Sequence, residues 1–341
     1  MSLQAQIQSY LNGNDELHQA LGIDAGLPLP LRVLAQGEYN LNYRFERPAD
    51  GRPFILRVNM GSQLHLERQI SYEATALRAL YPSGRTPQVY YVDDSKRLLE
   101  QGVLVEDLLS GRPLCYERAG DLDEAARILA DVHALRPPKD AVLLCPADPL
   151  AAILEESEEL YARYLASSYR LSAAEPYLEA FIEAARAIVA GESARPRPRH
   201  IISTELNSEN FLINDEAPGF LIDWEKPILG EVAQDLAHFL IPTTTFWKTD
   251  SILSPTERQS FLERYAQAVD GRFDVTELFE RFAPYLSLTC LRAISWCAMA
   301  YTEYCEPGRA LRNKLTFEKI VHYLRADFLD YLSKECFAMG L

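Results

Sequence analysis

The feature that most constrains this chain is a change of hydrophobic period near residue 110. Before it, apolar residues alternate in short runs broken by turn residues. Leu31 to Glu46 is strand-like, with Gly37 and Asn40 at its centre. The turn Pro48-Ala49-Asp50-Gly51-Arg52-Pro53 leads into the strand 54–59, and two alternating runs joined by Asp-Gly mark a hairpin. A helical stretch from about Leu64 to Leu80 carries Leu66, Ile70, Glu73, Ala74 and Leu77 on adjacent turns. Strands are expected at Gln88–Asp93 and Gly102–Glu106, and a helix over residues 4–22 precedes them all.

After Gly111-Arg112-Pro113 the spacing becomes three and four. Leu122, Ala125, Ile128, Leu129 and Val132 share one helical face, and Tyr177 to Val189 fits a second helix. A proline-rich break at 194–200 stops it. Two short strands follow, 211–215 and 219–225. Everything beyond Gly230 reads helical, ending in one long helix through Phe317, Ile320, Val321, Leu324, Phe328 and Tyr331. The expected division is an N-terminal helix at 1–25, a β-rich lobe at 26–106, a connector near 106–111, and a helical lobe at 107–341 with one embedded hairpin.

Charge and cysteine content narrow the function classes. The 341 residues carry 34 Lys and Arg against 49 Asp and Glu, a formal charge of −15. Phosphate neutralisation needs a basic face, so a nucleic-acid partner is not expected. Cys115, Cys145, Cys290, Cys297, Cys305 and Cys336 form no CxxC pair and have no His at metal-ligand spacing, so they read as free, buried thiols of a reducing cytoplasm. Residues 1–19 lack a basic segment followed by an apolar core, so no signal peptide is expected. The most apolar late stretch, Leu286 to Ala300, is short and interrupted by Arg292, which argues against a membrane span.

The informative chemistry lies in residues 203–225. Glu205, Asn210 and Asp223 are grouped around a tight hairpin. An amide oxygen and a carboxylate are hard ligands suited to a Mg²⁺ that also holds phosphates. A carboxylate five residues before the Asn would face a phosphoryl acceptor and orient or deprotonate its hydroxyl. Asn and Asp also cap hairpin turns for purely structural reasons.

The stretch resembles the catalytic and metal loops of the aminoglycoside phosphotransferase and choline kinase family. That family shows His-Gly-Asp-x-x-x-x-Asn and then a strand ending Ile-Asp-Trp-Glu. Here the residues are Ser203-Thr204-Glu205-Leu206-Asn207-Ser208-Glu209-Asn210 and Ile222-Asp223-Trp224-Glu225, followed by Gly230 and Asp235-Leu236. The resemblance runs from about residue 30 to about 330. It implies an α+β, protein-kinase-like bilobal fold and a cytoplasmic enzyme that uses ATP and Mg²⁺ on a small-molecule hydroxyl. Asn210 and Asp223 would hold the metal. Residues 37–45, with Asn40, would be the turn over the phosphates, although a single Gly is a weak signal. Arg57 would take the place of the strand lysine on the nucleotide phosphates, paired with Glu73. Residues 104–114, with Glu106, would form the hinge whose backbone meets adenine, and Val58 and Ile222 would shape the slot for the ring.

Two departures stand out. Glu205 replaces the family's catalytic Asp, and Ser203 replaces its His. Glu is longer by one C–C bond, about 1.5 Å. Either the loop has shifted to keep an active enzyme, or the chain is a nucleotide-binding pseudokinase. A structural protein that reuses the fold is a third possibility, which Asp223 opposes. For the acceptor, Trp296, Tyr301, Glu303 and Glu306, with Tyr304, would line a site for an ammonium group; on the other reading they are core and solvated residues of an amphipathic helix. Trp247, just beyond Pro242-Thr243-Thr244, is a second candidate, as a lid residue, and it too can be read as plain core. His133, His200 and His238 are assigned core or capping roles.

Overall fold

The computed structural model describes residues 2–339 apart from 25, 38, 63, 140, 193–195 and 308–312. Glu38 of the expected phosphate turn, residues 194 and 195 of the proline-rich break and residues 308 and 309 of the aromatic segment lie outside the described residues.

Two short helices open the chain, α1 (Leu3–Gly13) and α2 (Asp15–Leu21). The single helix expected over 4–22 is broken at Asn14, whose side chain accepts from Leu17 N–H and so caps α2. An antiparallel sheet follows from β1 (Arg32–Gln36), β2 (Asn40–Glu46), β3 (Pro53–Asn59), β4 (Val89–Asp93) and β5 (Val103–Asp107), in the order β1-β2-β3-β5-β4. The run 31–46 is therefore two strands, turning at Gly37. Helix α3 (Gln69–Leu80) starts later than its periodicity suggests, because Ser62 Oγ accepts from Leu66 N–H and donates to Gln69 Oε1, which keeps 64–68 out of the helix.

Apart from the exposed edge strand β1, the sheet packs against other elements on both faces. Tyr43, Phe45, Phe54, Leu56, Val58, Val103 and Val105 point to one side and form a core with Ile7, Leu11, Leu17 and Leu21 of α1 and α2. The opposite parity, Arg57, Leu104 and Glu106, faces α3 and the hairpin loop. Period-two geometry forces this split. It also corrects the expected adenine slot: Val58 is fully buried under the N-terminal helices and faces away from Arg57. Ile55, half-buried and two residues from Arg57, has the parity the slot needs.

The remaining elements share one large core with α3. They are β6 (Arg112–Pro113), α4 (Ala119–His133), α5 (Pro149–Ala166), α6 (Glu175–Gly191), β7 (His200–Ile202), β8 (Phe211–Ile213), β9 (Phe220–Leu221), β10 (Ile228–Gly230), α7 (Val232–Leu240), α8 (Pro242–Lys248), α9 (Pro255–Val269), α10 (Leu278–Cys305), α11 (Lys314–Tyr323) and α12 (Ala326–Phe337). Strands β8 and β9 form the expected hairpin, and β6 pairs with β8. Gly111 is required there: a Cβ would lie 2.7 Å from Leu212 Cβ as the connector crosses the hairpin. The single last helix is two helices, because Arg325 is extended between them. The period survives the break because both bury aromatic residues together, with Tyr323 and Phe328 stacked at 4.9 Å. Strands β7 and β10, three residues each, pair with each other, β7 just before the loop that carries Glu205, and are not marked by the periodicity. Among the described residues, no helix is long and apolar enough to cross a membrane.

Candidate active site

The site forms where the hairpin loop of the helical lobe meets the inner face of the sheet. Trp224 is buried in the large core and donates Nε1–H to the Leu221 carbonyl (3.1 Å). Its neighbours Asp223 and Glu225 therefore project the other way, toward the sheet. Asp223 has φ +66° and Thr204, just before Glu205, has φ +65°. Left-handed backbone at non-glycine residues costs of order 1–3 kcal/mol each and survives only where the surroundings fix it. At Thr204 they do. Its N–H donates to Asp235 Oδ1 (2.7 Å), its Oγ1–H to the Lys226 carbonyl (2.8 Å), and its own carbonyl accepts from Arg292 Nη2 (2.8 Å). Asp235 also accepts from Ser203 N–H (2.7 Å) and lies against His133 Nε2 (3.3 Å), whose Nδ1 meets the Tyr265 hydroxyl.

Arg57 is the centre of the sheet side. It is nearly fully buried and ion-paired to Glu73 (3.2 Å), Asp223 (2.6 Å) and Glu225 (3.4 Å). The pairing expected for Arg57 and Glu73 is present. Burial opposes the guanidinium's charge, but Glu73, Asp223 and Glu106 hold it protonated above its ordinary range. The carboxylates outnumber it. Burial pushes Glu106 up to about 7, with Asp223 and Asp107 adding to the rise against the pull of Arg57. Burial and Asp223 likewise push Glu225 up to about 7. Burial drives Glu73 up as well, more strongly than Arg57 draws it down. Asn40 donates Nδ2–H to Glu225 Oε2 (2.5 Å), so the start of β2 is tied directly to the hairpin loop.

On the other side of the loop, Asn210 Nδ2 donates to the Glu205 carbonyl (3.1 Å) and its Oδ1 accepts from Asn207 (2.9 Å). Glu205 and Asn210 are thus held as one unit. The Glu205 carboxylate lies 3.6 Å from Arg292 Nη1 and 3.8 Å from Lys226 Nζ. Lys226 also pairs with Glu156 of α5 (2.9 Å). Burial opposes ionisation of Glu156, but Arg292 and Lys226 together draw its carboxyl below the usual range. Burial, then Arg292 and Lys226, keep His238 neutral, far below its ordinary value.

The residues expected at an acceptor site are spread along α10 and its C-terminal end. Trp296 stands one turn beyond Arg292 and meets Trp247 edge to face at 5.9 Å. Neighbouring Lys248 pairs with Glu209 of the catalytic turn (2.9 Å), which keeps this aromatic pair close to the loop. Tyr301 and Tyr304 instead stack on Phe317 of α11 (5.9 and 5.4 Å), Glu303 pairs with Arg163 (2.5 Å), and Glu306 is at the end of the helix. The sequence reading missed Glu156, Lys226 and Arg292. A lone Arg in the apolar run 286–300 was the available signal for the last of these.

The fold defines a protein-kinase-like molecule, with the candidate site between a sheet lobe and a helical lobe. The model of the phosphotransferase enzyme family matches residues 30–279, and the chain belongs to that family. Solved structures of similar fold include an ethanolamine kinase from Plasmodium vivax (14% identity, TM-score 0.63, 96% of this chain and 94% of that one covered). A choline kinase from Streptococcus pneumoniae is similar as well (18%, 0.61, 95% and 99%). So is a spectinomycin phosphotransferase solved with ADP and spectinomycin (12%, 0.60, 90% and 92%). Comparison with curated proteins finds no match.

Proposed function

We propose that this phosphotransferase transfers the γ-phosphoryl group of ATP, with Mg²⁺, to a hydroxyl of a small, amine-bearing molecule. The observation that carries the reading is the joint placement of Glu205, Asn210 and Asp223: Asn210 is bonded to Glu205, and Asp223 is turned toward Arg57. The donor chemistry fits Mg²⁺, since Asn210 Oδ1 and the Asp223 carboxylate are hard oxygen donors. Four carboxylates around one guanidinium also favour added positive charge. When bound, the ion would neutralise charge developing on the transferred phosphates. Arg57, fixed by Glu73, would contact phosphate oxygens, and Asn40 would hold the covering turn over them. Backbone groups beyond Glu106 would meet the base. Glu205 would accept the acceptor's hydroxyl proton, and Trp296 with Trp247 would supply an aromatic wall for an ammonium group. Solved relatives act on choline, ethanolamine and aminoglycosides, and two of them were solved with ADP. On this reading residues 26–106 bind the nucleotide, and 107–341 carry the catalytic hairpin at 203–225 and the acceptor site. The six cysteines are free, which agrees with a cytoplasmic location, but only Cys290, Cys297 and Cys336 are buried as expected; Cys145 is exposed and Cys115 and Cys305 are half-buried. The non-catalytic reading has no observation of its own.

An ADP-production screen over aminoalcohols, amino sugars and simple sugars tests the proposal. Acceptor-dependent ADP is expected with the wild type and Mg²⁺, and not with Asp223→Ala. No acceptor raising ADP above the hydrolytic background would overturn it.

A further inference from the structure

Glu205 is one carbon longer than the residue its relatives use, and the extra bond adds a rotamer choice at the position where placement matters most. Errors of about 1 Å in a reacting geometry can cost roughly a hundredfold. Two cations stand behind this carboxylate. Lys226 and Arg292 side chains are each only 8% exposed, whereas Glu205 and Glu156 are 31% and 40% exposed. The cations are thus shielded, and the carboxylates keep solvent-exposed edges. Both cations lie within 4 Å of both carboxylates, at 2.9–3.9 Å, so two positive and two negative groups balance. A buried cation with no partner is costly, and this closed ring leaves none. The Arg292 side chain also holds the backbone beside Glu205 by donating to the Thr204 carbonyl, and the Lys226 main-chain carbonyl accepts from the Thr204 hydroxyl, which fixes where the Lys226 side chain starts.

The geometry points to Lys226 and Arg292 as positioning residues that fix Glu205 in a single catalytic rotamer, with Glu156 as the counter-charge that keeps both cations in place. The inference rests on the proposed phosphotransferase reading. It explains how a Glu serves where relatives have Asp: the reach gained along the side chain is taken up by a clamp anchored on α10 and on the residue after Asp-Trp-Glu.

The test combines Lys226→Met, Lys226→Arg and Arg292→Lys with wild-type Glu205 and with Glu205→Gln. Arg292→Lys retains a charge and guards against simple unfolding. Turnover is read as ADP formation, with the best acceptor from the screen and with water. Lys226→Met and Arg292→Lys should each lower kcat about 10- to 100-fold with KM for ATP within about twofold, and Lys226→Arg should restore most of the loss. In the Glu205→Gln background the same changes should alter the residual rate less than about twofold, because the clamp has no carboxylate left to place. Losses of equal size in both backgrounds, or unchanged kcat in the first, would overturn the clamp and leave the two residues as braces of the fold. Urea unfolding of the Lys226/Glu205 double-mutant cycle reads the same coupling without turnover, and additive midpoint shifts would overturn it as well. If the wild type forms no ADP while ATP·Mg²⁺ still raises its Tm, the proposed function fails, and the urea cycle alone decides the clamp.

Discussion

The two charged clusters on either side of the hairpin loop are built on opposite principles. Around Arg57, one guanidinium faces Glu73, Glu106, Asp223 and Glu225, and burial makes several of these carboxylates reluctant to ionise. Around Glu205, two cations face two carboxylates, and Glu156 is drawn below its usual range. The first cluster is electrostatically short of cations, and the second is complete. A site that binds a metal–nucleotide gains by carrying unsatisfied negative charge. A site that must hold one carboxylate still gains by being neutral and closed.

The sharpest way to break this contrast is Asp223→Ala. It should abolish Mg²⁺-dependent stabilisation by ATP and lower kcat/KM by at least about 10³-fold. Equal thermal shifts with ATP·Mg²⁺ for mutant and wild type would show that the metal is held elsewhere. Glu205→Ala acts on the other cluster. It should cut turnover by roughly 10²–10⁴ and leave ATP binding nearly unchanged, measured by calorimetry beside kinetics.

Stability against pH separates the clusters by sign. The Glu106 carboxyl sits at about 7 in the folded protein, above its ordinary 4.5. Its favourable contribution is complete below about pH 4.5 and is lost as the pH rises through 7. Glu106→Gln should therefore stabilise the protein by about 3 kcal/mol at pH 8 and have little effect below pH 5, read from urea midpoints. Glu156 is shifted the other way, so Glu156→Gln should destabilise at pH 8; the effect is reduced by its partial exposure and fades as the pH falls below 4.5. Matching signs for the two variants would refute the contrast. The smallest expected effect is that of Arg57→Lys, which keeps the charge but loses the fork. It should weaken ATP about tenfold and adenosine hardly at all. Equal weakening of both ligands would remove Arg57 from the phosphates.

How much of this was legible in the sequence depends on how locally each feature is encoded. The β-rich lobe, the hairpin at 211–221 and the grouping of Glu205, Asn210 and Asp223 follow from short spacings and turn residues. The Arg57–Glu73 pair follows from the resemblance. Which way Val58 faces was readable in principle, since parity with Arg57 settles it. The clamp was not: Glu156, Lys226 and Arg292 are brought together from α5, the loop after Trp224 and α10, and no periodicity links positions so far apart. Breaks such as Asn14 and Arg325 were hidden for another reason. Both halves of each interrupted helix bury the same side, so the apolar pattern runs through the break.

Thr204 can also be viewed as a mechanical joint. It has three polar attachments, and they run to three bodies: α7 through Asp235, α10 through Arg292, and the hairpin loop through the Lys226 carbonyl. Such a joint is over-constrained, so losing one tether leaves two, and damage by point substitution is graded. A change of phase is different. One residue inserted into the 28-residue α10 ahead of Arg292 turns that side chain about 100° around the helix. That single step detaches the Thr204 carbonyl and withdraws a cation from Glu205 together, so α10 tolerates exchange of its residues far better than any change in their number.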